Sequence, residues 1–251
     1  MKCPKCQLEQ KDQNISCEQC GIVFSKYFKY HPSATQAKKE EALEDNEALE
    51  SHDFDGITWK DRLLYPGDKT DAIAVYVRFG LLVILTIWGL RLIFASISSN
   101  TVGESFLHLI NLPFHEAGHV IFRPLGQFVA SLGGTLGQLL MPLICLFVLL
   151  IKHHNTYGAA VCGWWFGENF LDIAPYINDA RAGQLPLLGG NFGHSAPYGF
   201  HDWEYLLTEM GLLRYDHSIA QASHWLGSII MIASLSWASI ILYKQLKLSR
   251  Q

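Results

Sequence analysis

The chain has 251 residues and a formal net charge of -4, with 49% hydrophobic and 17% charged residues. That composition excludes a disordered chain, and together with the sign of the charge it excludes a protein built to coat nucleic acid. The mean hydropathy of +0.14 averages two unlike parts. Residues 1–70 are polar, whereas residues 71–251 hold several apolar runs long enough to cross a bilayer.

The first thirty residues carry four of the six cysteines, as the pairs Cys3/Cys6 and Cys17/Cys20. A Cys-x-x-Cys pair forms a tight knuckle that offers two thiolates to one ion, and two knuckles close a tetrahedral zinc site. Pro4 and Gly21 suit the turns such knuckles need. About thirty residues cannot bury enough core to fold alone, so metal binding is expected to supply the folding energy. The segment resembles zinc-ribbon modules, most closely in CEQCGIVF. A closed four-thiolate site is structural, so it is assigned no catalysis. The opening Met1-Lys2-Cys3-Pro4 lacks the apolar region of a secretion signal, which places the thiols in a reducing cytosol. Cys145 and Cys162, in apolar surroundings, read as core residues.

Residues 31–70 form a linker and juxtamembrane segment with an acidic run from Glu40 to Asp55, expected to stay solvated. Trp59 and Tyr65, set among Lys and Arg, suit the headgroup level of a membrane. Five candidate spans follow, at about 72–96, 102–123, 135–151, 157–178 and 224–243. The fold expected is therefore an all-α polytopic membrane protein of about five transmembrane helices, with a small N-terminal zinc ribbon. Lys60, Arg62, Lys69 and Arg78 before or within the first span, and Lys244, Lys247 and Arg250 after the last, place both ends in the cytosol. That requires an even number of crossings, at odds with five. The Gly-, Pro- and His-rich stretch 180–220 has no clear element beyond a short helix around EYLLTEMGLL.

The chemistry centres on His115-Glu116-Ala117-Gly118-His119. On a helix, positions i and i+4 share a face, so both imidazoles can bind one ion, with Glu116 beside the open coordination position as general base. Apolar flanks put the motif in a membrane helix, where polar groups are costly and mark function. A catalytic zinc needs a third protein ligand. Asp172 and Asp179, seven residues apart at the end of the fourth span, both offer a carboxylate, although Pro175 should kink the path between them. His108, seven residues before His115, reads as a supporting or interface residue. His194, His201-Asp202 and His224 read first as surface or capping residues, with a lid or a donated ligand as the alternative. Gly163 and Gly167 suit close helix packing.

HEAGH in a membrane helix, followed by the glycine-led GGTLGQLLMPL, then Asn169, Pro175 and Asp179, resembles the site-2 protease class of intramembrane zinc metalloproteases, the M50 peptidases. The resemblance covers about residues 103–181, a three-helix core within the membrane domain 71–251. It implies that His115, His119 and Asp179 hold Zn2+, with Glu116 as catalytic base and Asn169 binding substrate or the developing oxyanion. Asp179-Ala180 stands where the family has Asp-Gly, and the Asn-to-Asp spacing is longer, so Asp172 remains the alternative to Asp179.

The function expected is hydrolysis of peptide bonds in or near transmembrane segments of membrane-protein substrates, the chemistry of regulated intramembrane proteolysis. Asn111, Glu168 and Asn169 could line a path for water. The cofactors expected are two Zn2+, one catalytic and one structural in the ribbon. The partners expected are the substrate, the lipid bilayer and a cytosolic protein recruited by the ribbon, with no nucleic acid. The alternatives are a non-proteolytic membrane protein whose HEAGH is a structural or vestigial metal site, and a metal-dependent hydrolase of small amphiphiles.

Overall fold

The structure, a computed structural model, describes residues 2–9, 11, 14–30, 58–67, 71–188, 190–195 and 200–250. The acidic run and Lys69 lie outside the described residues. The chain divides into two units, Met1–Thr58 and Trp59–Gln251. Among the described residues all regular structure is helical, with three isolated antiparallel bridges and no strands.

In the first unit the two cysteine pairs build the same turn twice. The amide of Gln7 donates to Cys3 O (2.9 Å) and that of Cys3 to Leu8 O (2.9 Å); Gly21 donates to Cys17 O (3.0 Å) and Cys17 to Ile22 O (2.9 Å). The fourth residue after each leading cysteine, Gln7 or Gly21, is left-handed, with φ 63° and 68°. Glycine adopts that conformation freely, and Gln7 does so at a cost. The bridges Lys2–Glu9 and Ser16–Val23 flank the two turns. The short helix α1 (Phe24–Tyr30) adds Phe24 to a core made with the buried Cys3 and Cys17.

The second unit contains α2 (Trp59–Leu63), α3 (Ala72–Ile93), α4 (Phe106–Phe122), α5 (Gln127–Phe147, continued by a π-helical turn Val148–Lys152), α6 (Thr156–Asn178), α7 (Asp202–Glu209) and α8 (Asp216–Leu248). α6 is the central helix, with 15 of its 23 residues buried. α3 is its opposite: it is apolar on every side and buries only Val75, Leu85, Gly89 and Leu92. A helix that exposes Ile73, Tyr76, Phe79, Ile84 and Ile87 needs an apolar solvent. The segment after α2 is pinned through its carbonyls. Thr156 Oγ1 donates to Arg62 O, Trp237 Nε1 to Leu63 O, Lys244 Nζ to Leu64 O and Gln245 Nε2 to Pro66 O.

All five expected spans are helical, and among the described residues three helices are long and apolar enough to cross a membrane: Ala72–Ile93, Gln127–Lys152 and Leu213–Leu248. The second expected span, α4, has 17 residues and carries four ionisable side chains: His108, His115, Glu116 and His119. The fourth, α6, spends its length on packing, with Glu168, Asn169 and Asp172 buried inside the protein. The third begins at Gln127, eight residues before the expected 135, because Gly126 at φ 94° ends a tight turn through Pro124 and lets α5 start at once.

Glycines let the helices touch backbone to backbone. A Cβ on Gly118 would strike the Gly133 carbonyl across the α4–α5 contact, and one on Gly137 would strike the carbonyl of Phe114. Gly163 and Gly167 serve the α6–α8 contact, where added Cβ atoms would meet Ser234 Oγ at 2.7 Å and Gly227 O at 2.8 Å. Gly137→Ala is expected to cost about 1–3 kcal/mol, because a backbone carbonyl cannot step aside. The check is the unfolding temperature in detergent, with Gly80→Ala, whose Cβ meets open space, predicted to show no loss.

Candidate metal centres

Among the described residues two groups of side chains converge closely enough to hold metal ions: Cys3, Cys6, Cys17 and Cys20, and, in the second unit, His115, His119 and Asp202. In the first group Cys3 Sγ lies 3.6 Å from Cys20 Sγ, and Cys6 Sγ lies 3.5 Å from Cys17 Sγ. Four thiolates around one tetrahedral zinc stand about 3.8 Å apart, given Zn–S bonds of about 2.3 Å. The amide of Cys20 points at the Cys17 sulfur (3.5 Å) and lowers that thiol to about 6. The Leu8 amide pulls Cys6 down, but burial and the other three sulfurs push harder and raise it to about 12. The cluster cannot carry four thiolates by itself, and a cation resolves that conflict.

The second centre is built from α4, α5, α6 and α7. His119 Nδ1 lies 2.8 Å from the Ala130 carbonyl, which can only accept, so Nδ1 carries the hydrogen. In the neutral ring Nε2 is then a bare lone pair. His115 reaches the same state through a longer chain. Asn169 Nδ2 donates to Trp165 O (3.0 Å), which turns Asn169 Oδ1 toward Gln138 Nε2 (3.2 Å). That orients Gln138 Oε1 to accept from His115 Nδ1 (2.7 Å). Both Nε2 atoms therefore face away from their supports, and both face Asp202 Oδ2, at 3.6 Å from His115 and 3.4 Å from His119. Ligands of a tetrahedral zinc with bonds of about 2.0–2.1 Å lie about 3.3–3.5 Å apart, so the donor set fits such an ion.

The three ligands open onto a cavity of about 970 Å³, lined also by Glu116, His108 and Tyr176. Gly134 of α5 forms the wall behind them. A Cβ there would lie 2.5 Å from His115 Nε2 and 2.6 Å from His119 Nε2.

The sequence reads Asp202 as a surface or capping residue, with a donated ligand as the alternative, yet it is Asp202 and neither Asp179 nor Asp172 that joins the two histidines. α6 ends at Asn178, so Asp179 falls beyond its last turn. Its carboxylate accepts the backbone amides of Gln184 (3.0 Å) and Leu185 (2.8 Å) and lies 3.6 Å from His201 Nε2. Asp172 lies among supporting groups and takes hydrogen bonds from His108 Nδ1 (2.9 Å), Asn111 Nδ2 (3.0 Å) and Gln138 Nε2 (3.3 Å). Asn169, expected at the substrate, is fully buried and holds Gln138. Asn111 and Glu168 are also fully buried instead of lining a water path, and Asn111 bridges the Glu168 and Asp172 carboxylates. His201 does cap α7, through Nδ1 and the Glu204 amide (3.2 Å), and the carboxylate beside it reaches the histidines. Nothing in the local pattern signalled Gln138, Tyr176 or Gly134.

Two outcomes follow from this geometry. Both rings are fixed at Nδ1 and cannot swing away, so Gly134→Ala is expected to abolish metal binding at the second centre, read as loss of one metal ion per chain. Cys17 is lowered in the folded module, so its contribution is present above the ordinary thiol value of about 8.5 and is lost as pH falls through about 6. Binding needs the thiolates, so the affinity of the cysteine site, read by competition with a chromogenic chelator, should fall as pH is lowered; an affinity independent of pH would contradict the assignment. No family model, curated protein or solved structure matches the chain.

Proposed function

We propose that the protein is an intramembrane zinc endopeptidase, with His115, His119 and Asp202 holding Zn2+ and Glu116 as the general base. One observation carries this reading: two imidazole lone pairs and a carboxylate converge, with Glu116 at the neighbouring helical position, on one wall of a large cavity. Three protein ligands with an open fourth position are the pattern of a catalytic zinc, whereas four are the pattern of a structural one. The order of the His motif, the glycine-led helix and Asn169 over residues 103–181 supports the reading; besides the Asp-Ala pair and the longer spacing already noted, it departs in taking its third ligand from Asp202, beyond that core. The three apolar helices agree with a membrane setting.

Held by His115, His119 and Asp202, a zinc ion would supply a water with its pKa lowered toward neutrality and a Lewis acid for a carbonyl. Glu116 takes the proton of the attacking water and delivers it to the leaving amine. Gln138 and the Ala130 carbonyl keep both imidazoles in the ligating tautomer throughout. The substrate is a transmembrane segment of another protein, and it must unwind locally, since a helix keeps its carbonyls hydrogen-bonded. The cysteine module is a structural zinc ribbon, facing the cytosol, that recruits a partner or the substrate.

Glu116→Gln is expected to keep both metal ions and to lose about 10²–10⁴-fold in cleavage of a membrane-embedded peptide in detergent or liposomes. Cleavage at the parent rate in that variant would remove Glu116 from the role. A parent protein that binds both metals yet cuts no peptide, and either cuts no amphiphile or cuts only lipid, would favour the non-proteolytic or the small-amphiphile reading respectively.

A further inference from the structure

We propose that Tyr176, together with His201 and Asp179, positions Asp202 as the third ligand; this rests on the metal reading above. Asp202 is the first residue of an eight-residue helix that follows a long connection, so its own helix does little to aim its carboxylate. What aims it comes from the end of α6. The Tyr176 hydroxyl accepts from the Asp202 amide (3.0 Å) and donates to Asp202 Oδ2 (3.2 Å). An amide only donates and a carboxylate only accepts, so one group must do both, and a phenol can. The oxygen it holds is the same Oδ2 that faces the two Nε2 atoms.

The tyrosine is itself held in place. Its ring lies against His201, with centroids 4.2 Å apart, and meets His115 edge-on at 6.3 Å. His201 is buried, and its Nδ1 accepts from the Glu204 amide, so its hydrogen sits on Nε2, which lies 3.6 Å from the Asp179 carboxylate, close but beyond hydrogen-bond distance. Asp179 also ties down the amides of Gln184 and Leu185, where the connection begins. The end of α6 therefore holds the chain where the connection leaves and again where it returns at His201 and Asp202. The cluster of Ile173, Ile177, Ala180, Leu207 and Ala220 glues α7 to the same end. Asp179 serves the metal through His201 and the connection, while Tyr176 acts on the ligand directly. Groups that hydrogen-bond a metal ligand typically carry about 10–100-fold in metal affinity.

The test is competition of the full-length protein in detergent against a chromogenic chelator, with Zn2+ as the probe and the cysteine site as internal reference. Tyr176→Phe is expected to weaken the second site by about 10–100-fold while leaving the affinity of the cysteine site unchanged. Unaltered affinity in that variant would overturn the positioning role while leaving the metal site intact. If the parent shows no second site that Asp202→Ala removes, the metal reading fails and the inference with it. Should Tyr176→Phe not fold, the His201 pair decides. His201→Asn, which keeps a capping oxygen for the Glu204 amide, should bind at least several-fold more tightly than His201→Ala; equal affinity in the two would count against the device.

Discussion

Everything at the second centre depends on where two protons sit. The Ala130 carbonyl and the Gln138 amide oxygen take the Nδ1 hydrogens of His119 and His115, leaving two Nε2 lone pairs directed at a carboxylate. Asp202 Oδ2 faces the two Nε2 atoms at 3.4 and 3.6 Å, and electron-rich atoms this close repel unless something positive lies between them. A metal ion satisfies that arrangement without disturbing any of the supporting bonds. Protonation of one or both rings would satisfy it too, which makes the support of the Nδ1 atoms a preparation for either cation, while the spacing favours zinc.

The packing of the helices is in service of that geometry. α4 and α5 approach until Gly118 and Gly137 meet carbonyls of the opposite helix, and only then does Gly134 come to lie against both imidazoles. Larger residues would separate the helices and leave His119 out of reach of Ala130. On the other side, α6 buries Asn111, Glu168, Asn169 and Asp172 among the helices, an arrangement expensive in any apolar setting. Most of these atoms are paired, and their pairing runs from the Trp165 carbonyl to the His115 ring. The buried polar side chains of α6 thus explain both why it fails as a lipid-facing helix and why the site stays in order.

The sequence displayed what depends on local spacing. The i, i+4 histidines, the two Cys-x-x-Cys turns and the apolar runs each follow from a period or an interval, and all appear as helix, knuckle or helix. The third ligand follows from no interval. Asp179 matches the order of residues that the family resemblance implies, but α6 ends at Asn178 and the Asp179 carboxylate turns to the connection that follows. Asp202 reaches the histidines because a separate short helix docks through Leu206 and Leu207, both essentially fully buried, a tertiary fact with no local signature. The same holds for Gln138, a polar residue in an apolar run whose value depends on three partners from other helices. Hydrophobicity alone does not separate a helix that exposes apolar side chains on most sides, such as α3, from one buried among its neighbours, such as α6.

The most direct measurement is metal content per chain, on protein purified in detergent without a metal-binding tag and equilibrated with zinc, for the parent and for Asp202→Ala. Two zinc ions in the parent and one in the variant would establish a membrane-domain centre closed by Asp202. One zinc in both, or two in both, would contradict it: the first leaves only the cysteine site filled, and the second takes the third ligand away from Asp202.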